Sequence, residues 1–402
     1  MLLHITAQHR RAVRTPPDAS TRPFLALAPM GDTPKIVVFG SAVVDLVLNP
    51  AELPRPGRTV LAPTYALLPG GKGANQAYAA ARAGTTPAHF VGCVGADGFA
   101  DITTRSLTSA GVDVTRVVVS PSRPTACAAV VVDAAGENQI CVGAGANLDV
   151  AAAQLDAKNT LRRGDVLLMQ MEIPPEEVFG ALAKARAIGA HSVLNVAPSS
   201  APVPASALCA LDFLVVNEHE CEDVYRSTVG EANESGEANA DDTKVDDTNE
   251  SVLSVLDMAR LVAISHDVAT LVTLGGDGAA LFLPRRPAAF PPRTDGGCDV
   301  VSVDAAPLRE GEAIVDTVGA GDAFVGAFVA ALAEGRNVAD AMRRAAAAGT
   351  TACTAVGARD ATPNAETIDA RAEEVEATGN WGPETPPEAL VNAPGLAWGR
   401  AK

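Results

Sequence analysis

Between residues 150 and 216, and again from 252 to 274, short strand-like runs with apolar centres alternate with segments of helical period. The runs at 165–170, 191–196, 211–216 and 269–274 are too short for globular helices, and each has an apolar centre. That is the pattern of strands covered on both sides. Helical segments at 150–160, 175–188 and 252–265 separate them. Strand–helix repetition of this kind folds as a parallel sheet with helices on its faces. Residues 35–40 form another such run, ended by Gly40, and residues 89–94 read as the next. The expected class is α/β, with a central, mainly parallel sheet flanked by helices.

Three segments break the alternation. Residues 117–120, 125–133 and 138–142 are β-branched runs with no helix between them, which predicts a small antiparallel β-sheet lid built from about 43–68 and 117–142. Residues 228–251 are acidic and almost free of apolar side chains, so they read as a disordered surface insertion. Residues 285–300 read as a loop excursion. At the ends, residues 1–33 carry Arg10, Arg11, Arg14 and Arg22 against Asp18 and Asp32. That composition suits an organelle transit peptide; the alternative is an over-long N-terminus ahead of a start at Met30. Residues 371–402, with Trp381, Pro383, Pro386 and Pro387, read as a tail. The folded domain is expected to span 34–370.

A net charge of −17 and a pI near 4.8 argue against a nucleic-acid partner. No apolar run reaches the length of a membrane span. Seven cysteines lie scattered without CxxC or metal-type spacing, which fits a reduced intracellular protein. The cytoplasm, with the nucleus as a further location, is the expected compartment, or a plastid or mitochondrion if residues 1–33 are a transit peptide.

Two glycine-rich stretches carry the chemistry. Asp316-Thr317-Val318-Gly319-Ala320-Gly321-Asp322-Ala323-Phe324 joins a strand-like run (Ala313 to Asp316) to a small-residue helix at 322–333. Glycines at a helix start let unpaired amides converge on an anion. Asp322 at that start can accept a proton from an attacking hydroxyl. Gly70-Gly71-Lys72-Gly73-Ala74-Asn75-Gln76-Ala77 lacks P-loop spacing. With Lys72 and Asn75 beside its glycines it reads as a clamp for a polyol, preceding a helix at 77–82. Asp45 is a lone carboxylate in an apolar run, either exposed at an edge or holding sugar hydroxyls. Glu172 and Asn217 each follow a strand, at the edge where open parallel sheets bind ligands. Thr273-Leu274-Gly275-Gly276-Asp277-Gly278 is either a tight turn or a flat rest for a nucleotide. The loop at Gly357-Ala358-Arg359-Asp360 is expected near Asp316.

In family order these segments resemble the ribokinase/PfkB family of carbohydrate kinases over about residues 35–365. The two glycine-rich stretches are the strongest marks, supported by Gly143 to Asn147, Met169-Gln170-Met171-Glu172 and Asn217-Glu218-His219-Glu220. The resemblance implies ATP-dependent phosphorylation of D-ribose at its 5-hydroxyl. It makes Asp322 the base and Gly319, Ala320 and Gly321 the anion hole. Val43, Val44, Asp45, Gly71, Lys72, Gly73, Ala74, Asn75 and Glu172 would line the sugar site. Asn217, Thr273, Leu274, Gly275, Gly276, Asp277, Gly278, Gly321 and Ala346 would contact ATP. Asn217 and Glu220 would organise Mg²⁺ through water. Asp316, Val318, Ala352, Ala355, Gly357 and Ala361 would form a K⁺ site. A homodimer paired through the lids is also implied.

Three positions depart from the family pattern. Val43 replaces a sugar-binding Asn, Ala361 replaces a cation-contacting Ser, and Ala346 replaces a residue that is often polar. A fructokinase-like or nucleoside kinase of the same family is the alternative. A non-catalytic sugar-binding relative would have been expected to lose Asp322 or its glycines. No GxGxxG follows the first strand, so a dinucleotide-binding oxidoreductase is set aside.

Overall fold

The computed structural model describes residues 33–230, 253–284 and 298–380. The N-terminal extension up to residue 32, the acidic insertion from 231, residues 285–297 and the tail from 381 lie outside the described residues.

β1 (Ile36–Phe39) opens the main sheet, and β2 (Val43–Leu48) and β3 (Tyr65–Gly70) leave it for a smaller one. β4 (Ala88–Val91) returns, while β5 (Cys93–Val94) and β6 (Val118–Val119) form a separate parallel pair. β7 (Ala126–Val132) and β8 (Asn138–Gly143) complete the small sheet, whose order is β3-β2-β7-β8. β9 (Val166–Gln170), β10 (His191–Asn195), β11 (Phe213–Asn217) and β12 (Ala269–Thr273) extend the main sheet in parallel with β1 and β4. β13 (Ala279–Leu283), β14 (Asp299–Val303) and β15 (Ala377–Asn380) add an antiparallel margin. The result is the expected α/β sheet with a β lid.

Residues of each central strand divide between two cores. Ile36 and Val38 pack on one face, under α1 (Lys72–Ala83), and Val37 and Phe39 on the other. Both faces being apolar explains why these strands show no polar alternation. α2 (Gly98–Ser109) packs beside α1, and α3 (Pro175–Ile188), α4 (Glu218–Tyr225) and α5 (Val255–His266) cover the opposite face. α6 (Ala320–Ala333) lies between α1 and α7 (Val338–Ala352), with α8 (Ala365–Ala372) beyond. Every α6 residue from Asp322 to Ala333 is buried, as its uninterrupted small and apolar composition demands. A Cβ built on Gly326 would lie 2.5 Å from that of Ala79, so the two helices touch at their backbones. Phe328 of α6 meets Phe213 of β11 edge-on, with ring centroids 5.6 Å apart. Burying such a ring is worth roughly 1.5–3 kcal/mol, and it pins α6, and therefore its first turn, to the sheet.

Several expectations are corrected. The helix expected at 150–160 is two short 3₁₀ turns, Gly145–Asp149 and Ala152–Asp156. Tertiary bonds intervene there: Ala152 N–H donates to Glu177 at 2.6 Å, and Gln154 donates to the Gly92 carbonyl at 3.0 Å. Residues 117–120 pair with β5 rather than joining the lid, and β7 runs parallel to β2. The run from Ala313 to Asp316 is no strand, and Ile314 and Val315 are exposed. Residues 299–303, partly assigned to a loop, are strand β14. Residues 377–380, assigned to the tail, form β15 on its edge. Of the cysteines, Cys93, Cys221 and Cys298 are buried, whereas Cys141 and Cys209 are exposed. Among the described residues no helix is long and apolar enough to cross a membrane.

Candidate active site

The parallel register brings the carboxyl ends of β1, β9, β10, β11 and β12 to one edge. Ser41, Glu172, Asn217 and the Thr273–Gly278 turn therefore share that edge, and α1 and α6 begin beside it. Asp322 is the third residue of α6 rather than its first, because the helix starts at Ala320. Gly319 precedes it in the left-handed region (φ 80°), where glycine alone is unstrained. Ala320 N–H donates to the Thr317 carbonyl at 3.2 Å. The next first-turn amides, of Gly321 and Asp322, have no acceptor within their own helix, which is the basis of an anion site.

Asp322 is buried, and its two oxygens are held separately. Oδ2 accepts from Asn75 Nδ2 at 3.0 Å, and Oδ1 from Gln76 Nε2 at 2.9 Å. Burial pushes this carboxyl up from its ordinary value; Lys72 and the two amide donors oppose the rise, and Glu172 adds to it. A carboxylate moved toward neutrality is a better proton acceptor at working pH. Gln76 also donates to Asn195 Oδ1 at 2.9 Å and accepts from Gln170 at 2.6 Å, so a buried amide chain runs beneath the acid.

Opposite lies the 70–77 stretch expected to clamp a polyol, and it belongs to the first turn of α1 rather than to a loop before 77. Glu172 caps that turn: Oε2 accepts from Lys72 N at 2.8 Å and from Ser41 Oγ at 2.6 Å. A Cβ on Gly73 would lie 2.6 Å from Ser41 N, so the β1–β2 link passes directly over the helix start. Asn147 Oδ1 accepts from Ala42 N at 3.0 Å, tying the returning loop to the same link. Asp45 lies against Gly70, where an added Cβ would come within 2.3 Å of its Oδ2. Burial, then the charge of Glu172, pushes the Asp45 carboxyl up to about 6, against the pull of Arg359. Val43 is 4% exposed and packs with Ala126 and Ala128 at the lid base; Val44 is fully buried.

Asn217 and Glu220 form a capping box at α4, with Glu220 N donating to Asn217 Oδ1 and Asn217 N to Glu220 Oε2, both at 2.9 Å. Burial pushes the Glu220 carboxyl up. The 273–278 segment is a short 3₁₀ turn with φ positive at Gly275 and Gly278. Ala346 is buried in the core. Asp316 does meet the 357–360 loop: its Oδ1 accepts from Val318 N at 3.0 Å and its Oδ2 from Gly357 N at 2.9 Å.

Sequence reasoning passed over three contributors. Gln76 lies inside the 70–77 stretch and Ser41 a few residues before Asp45, yet neither was given a role, because their roles depend on partners distant in sequence. Arg359 is 2% exposed and bonds Asn75 Oδ1 at 3.0 Å and the Gly70 carbonyl at 2.9 Å. Its sequence neighbour Asp360 makes it read as half of a local surface pair, which hides its buried role.

A sheet closed by a β lid, with an acid at an open helix start facing a polar clamp, has the layout of a kinase for small hydroxylated molecules. Residues 33–365 match the pattern described as pfkB family carbohydrate kinase. A deoxyribokinase of Salmonella typhimurium is 30% identical over 82% of this chain and 96% of its own. A ribokinase of Bacillus subtilis is 31% identical over 83% and 98%. The structure of Arabidopsis thaliana ribokinase complexed with ribose and ATP superposes with a TM-score of 0.68 at 28% identity, covering 85% of this chain and 99% of that one. The chain belongs to the pfkB family and is a carbohydrate kinase.

Proposed function

We propose that this kinase transfers the γ-phosphoryl group of ATP to the 5-hydroxyl of D-ribose, giving D-ribose 5-phosphate and ADP. The observation that carries the reading is Asp322, a buried carboxylate on the first turn of α6, facing Asn75 of the clamp. Asp322 takes the hydroxyl proton, the oxygen attacks the γ-phosphorus, and ADP leaves. The Gly321 and Asp322 amides donate to the transferred group, which needs charge stabilisation more than covalent help. Asp45, Asn75 and Glu172 hold the sugar, with Gly71, Lys72, Gly73 and Ala74 letting it approach the helix start. Asn217 and the 273–278 turn receive the nucleotide.

Asn217 and Glu220 each spend one side-chain oxygen on the capping box. Glu220 keeps its other oxygen for a metal-bound water, which fits Mg²⁺ held through its hydration shell. Mg²⁺ there would neutralise phosphate charge. Asp316, whose two oxygens accept from Val318 N and Gly357 N, would join the carbonyls of Val318, Ala352, Ala355 and Gly357 in holding a monovalent cation such as K⁺, as an all-oxygen set suits. Ala361 adds no side-chain ligand. Such an ion would brace the loop before α6. The scattered cysteines suit a reducing, intracellular compartment.

Val43 supports a second reading, 2-deoxy-D-ribose, because an apolar side chain at the lid base offers nothing to a 2-hydroxyl, and a deoxyribokinase is among the relatives. ADP release with Mg-ATP against D-ribose, 2-deoxy-D-ribose, D-fructose and adenosine, each with and without K⁺, tests both. Ribose is expected to lead, with K⁺ stimulation. Val43→Asn should raise the ribose preference over deoxyribose by about two- to tenfold, the worth of one neutral hydrogen bond. An unchanged ratio removes Val43 from the sugar site.

A homodimer through the lid is also proposed. Tyr65 (65% exposed), Ile140 (59%) and Val142 (58%) stand out on lid strands whose edges a second copy would cover. Light scattering at working concentration should give twice the chain mass; a monomer mass refutes the pairing.

A further inference from the structure

We propose that Arg359 is a positioning residue for phosphoryl transfer: its guanidinium fixes the amide of Asn75, and through it Asp322, while locking the base of the lid at Gly70. This rests on the sugar-kinase reading above.

Burying a guanidinium is costly unless its donors are used and its charge is balanced. Arg359 spends its donors on neutral oxygens, and the charges of Asp45 and Asp322 support its own, although burial still pulls it down to about 10. Nε donates to Asn75 Oδ1 at 3.0 Å, Nη2 to the Gly70 carbonyl at 2.9 Å and Nη1 to the Thr103 carbonyl at 3.5 Å. Its carbon Cζ lies 6.0 Å from the centre of the Tyr78 ring. One side chain from the 357–361 loop thus ties together α1, α2 and the last residue of lid strand β3.

The consequence for Asp322 follows from donor chemistry. A guanidinium only donates, so the atom of Asn75 facing it must be the oxygen. The Asn75 NH₂ group is then forced toward Asp322, 3.0 Å from Oδ2. An ionised Asp322 also prefers that orientation, and Arg359 enforces it from the other side, removing the flip that a protonated Asp322 would tolerate. The second consequence is electrostatic. Asp45 is faced by Glu172 at the end of β9, by Asp322 on α6 and by Arg359; of these only Arg359 pulls its carboxyl down. Arg359 therefore keeps ionised a carboxylate already raised to about 6.

Arg359→Lys and Arg359→Gln separate the two roles. Lysine keeps the charge but lacks the fork, so kcat should fall about ten- to hundredfold with the acid limb of kcat/KM in place. Glutamine loses both, so kcat should fall and the limb should move toward neutral pH. Thermal midpoints are measured alongside. Variants with kcat within twofold of wild type, or with activity lost only in proportion to folded protein and an unmoved limb, overturn the proposal. If the glutamine variant does not fold, the lysine variant decides: lower kcat at an unchanged midpoint supports the proposal, and wild-type kcat sinks it. Wild-type turnover is measured first. Its absence on every sugar refutes the sugar-kinase reading and the inference with it, whereas good wild-type turnover with indifferent variants refutes the inference alone.

Discussion

Asp322→Asn is expected to lower kcat by about 10²- to 10⁴-fold, the range for loss of a positioned general base, while leaving the KM for ATP near its wild-type value. The substitution keeps the shape of the side chain and removes its ability to take a proton. It also creates a local conflict. Asn75 Nδ2 and Gln76 Nε2 both donate to Asp322, so the new amide NH₂ would face a donor. Gln76 cannot flip cheaply, because it also donates to Asn195 and accepts from Gln170. An unsatisfied buried group costs roughly 1–3 kcal/mol, partly offset because a buried charge has gone. A modest fall in thermal midpoint should therefore accompany a large fall in kcat. The two are separated by measuring kcat on protein shown to be folded. Turnover within tenfold of wild type would move the base elsewhere.

The same bonding explains what could and could not be read from the sequence. β1 and β9 to β12 were legible because strands buried on both faces carry adjacent apolar residues with helical segments between them. The residues of β14 and β15 were not, since their register comes only from pairing with β13 and with each other. The 150–160 segment has helical composition, but Glu177 and the Gly92 carbonyl recruit its polar groups into tertiary bonds. In the site, Asp322, Asn75 and Glu172 stand in dense local motifs and were found. Gln76 and Arg359 act across 246 and 284 residues of chain, a relation that no local spacing encodes. The capping box of Asn217 and Glu220 shows the reverse limit. Its spacing was visible, yet the same spacing serves a helix end whether or not an ion is held there.

The two glycines flanking Ala320 should respond in opposite ways to the same added methyl group. Gly319 sits at φ 80°, and a Cβ there would lie 2.6 Å from Ala358 Cα and 2.7 Å from its Cβ. Gly319→Ala therefore combines left-handed strain of about 1–2 kcal/mol with a clash that displaces either the helix start or the 357–361 loop. A clear loss of thermal stability is expected along with loss of activity. Apart from its chain neighbours and its own helix backbone, no described residue has an atom within 4 Å of a Cβ built on Gly321. Alanine is favoured there by roughly 1 kcal/mol, because the residue is helical, so Gly321→Ala should fold as well as wild type or better. Its methyl group would instead occupy the space in front of the first-turn amides. If that space receives the transferred phosphoryl group, kcat should fall about a hundredfold or more, comparable to losing one oxyanion donor. Measuring thermal midpoint and kcat for both variants isolates the anion site from the fold. A stable Gly321→Ala protein with wild-type kcat would mean that the phosphoryl group does not pass over this helix start, whatever Asp322 contributes.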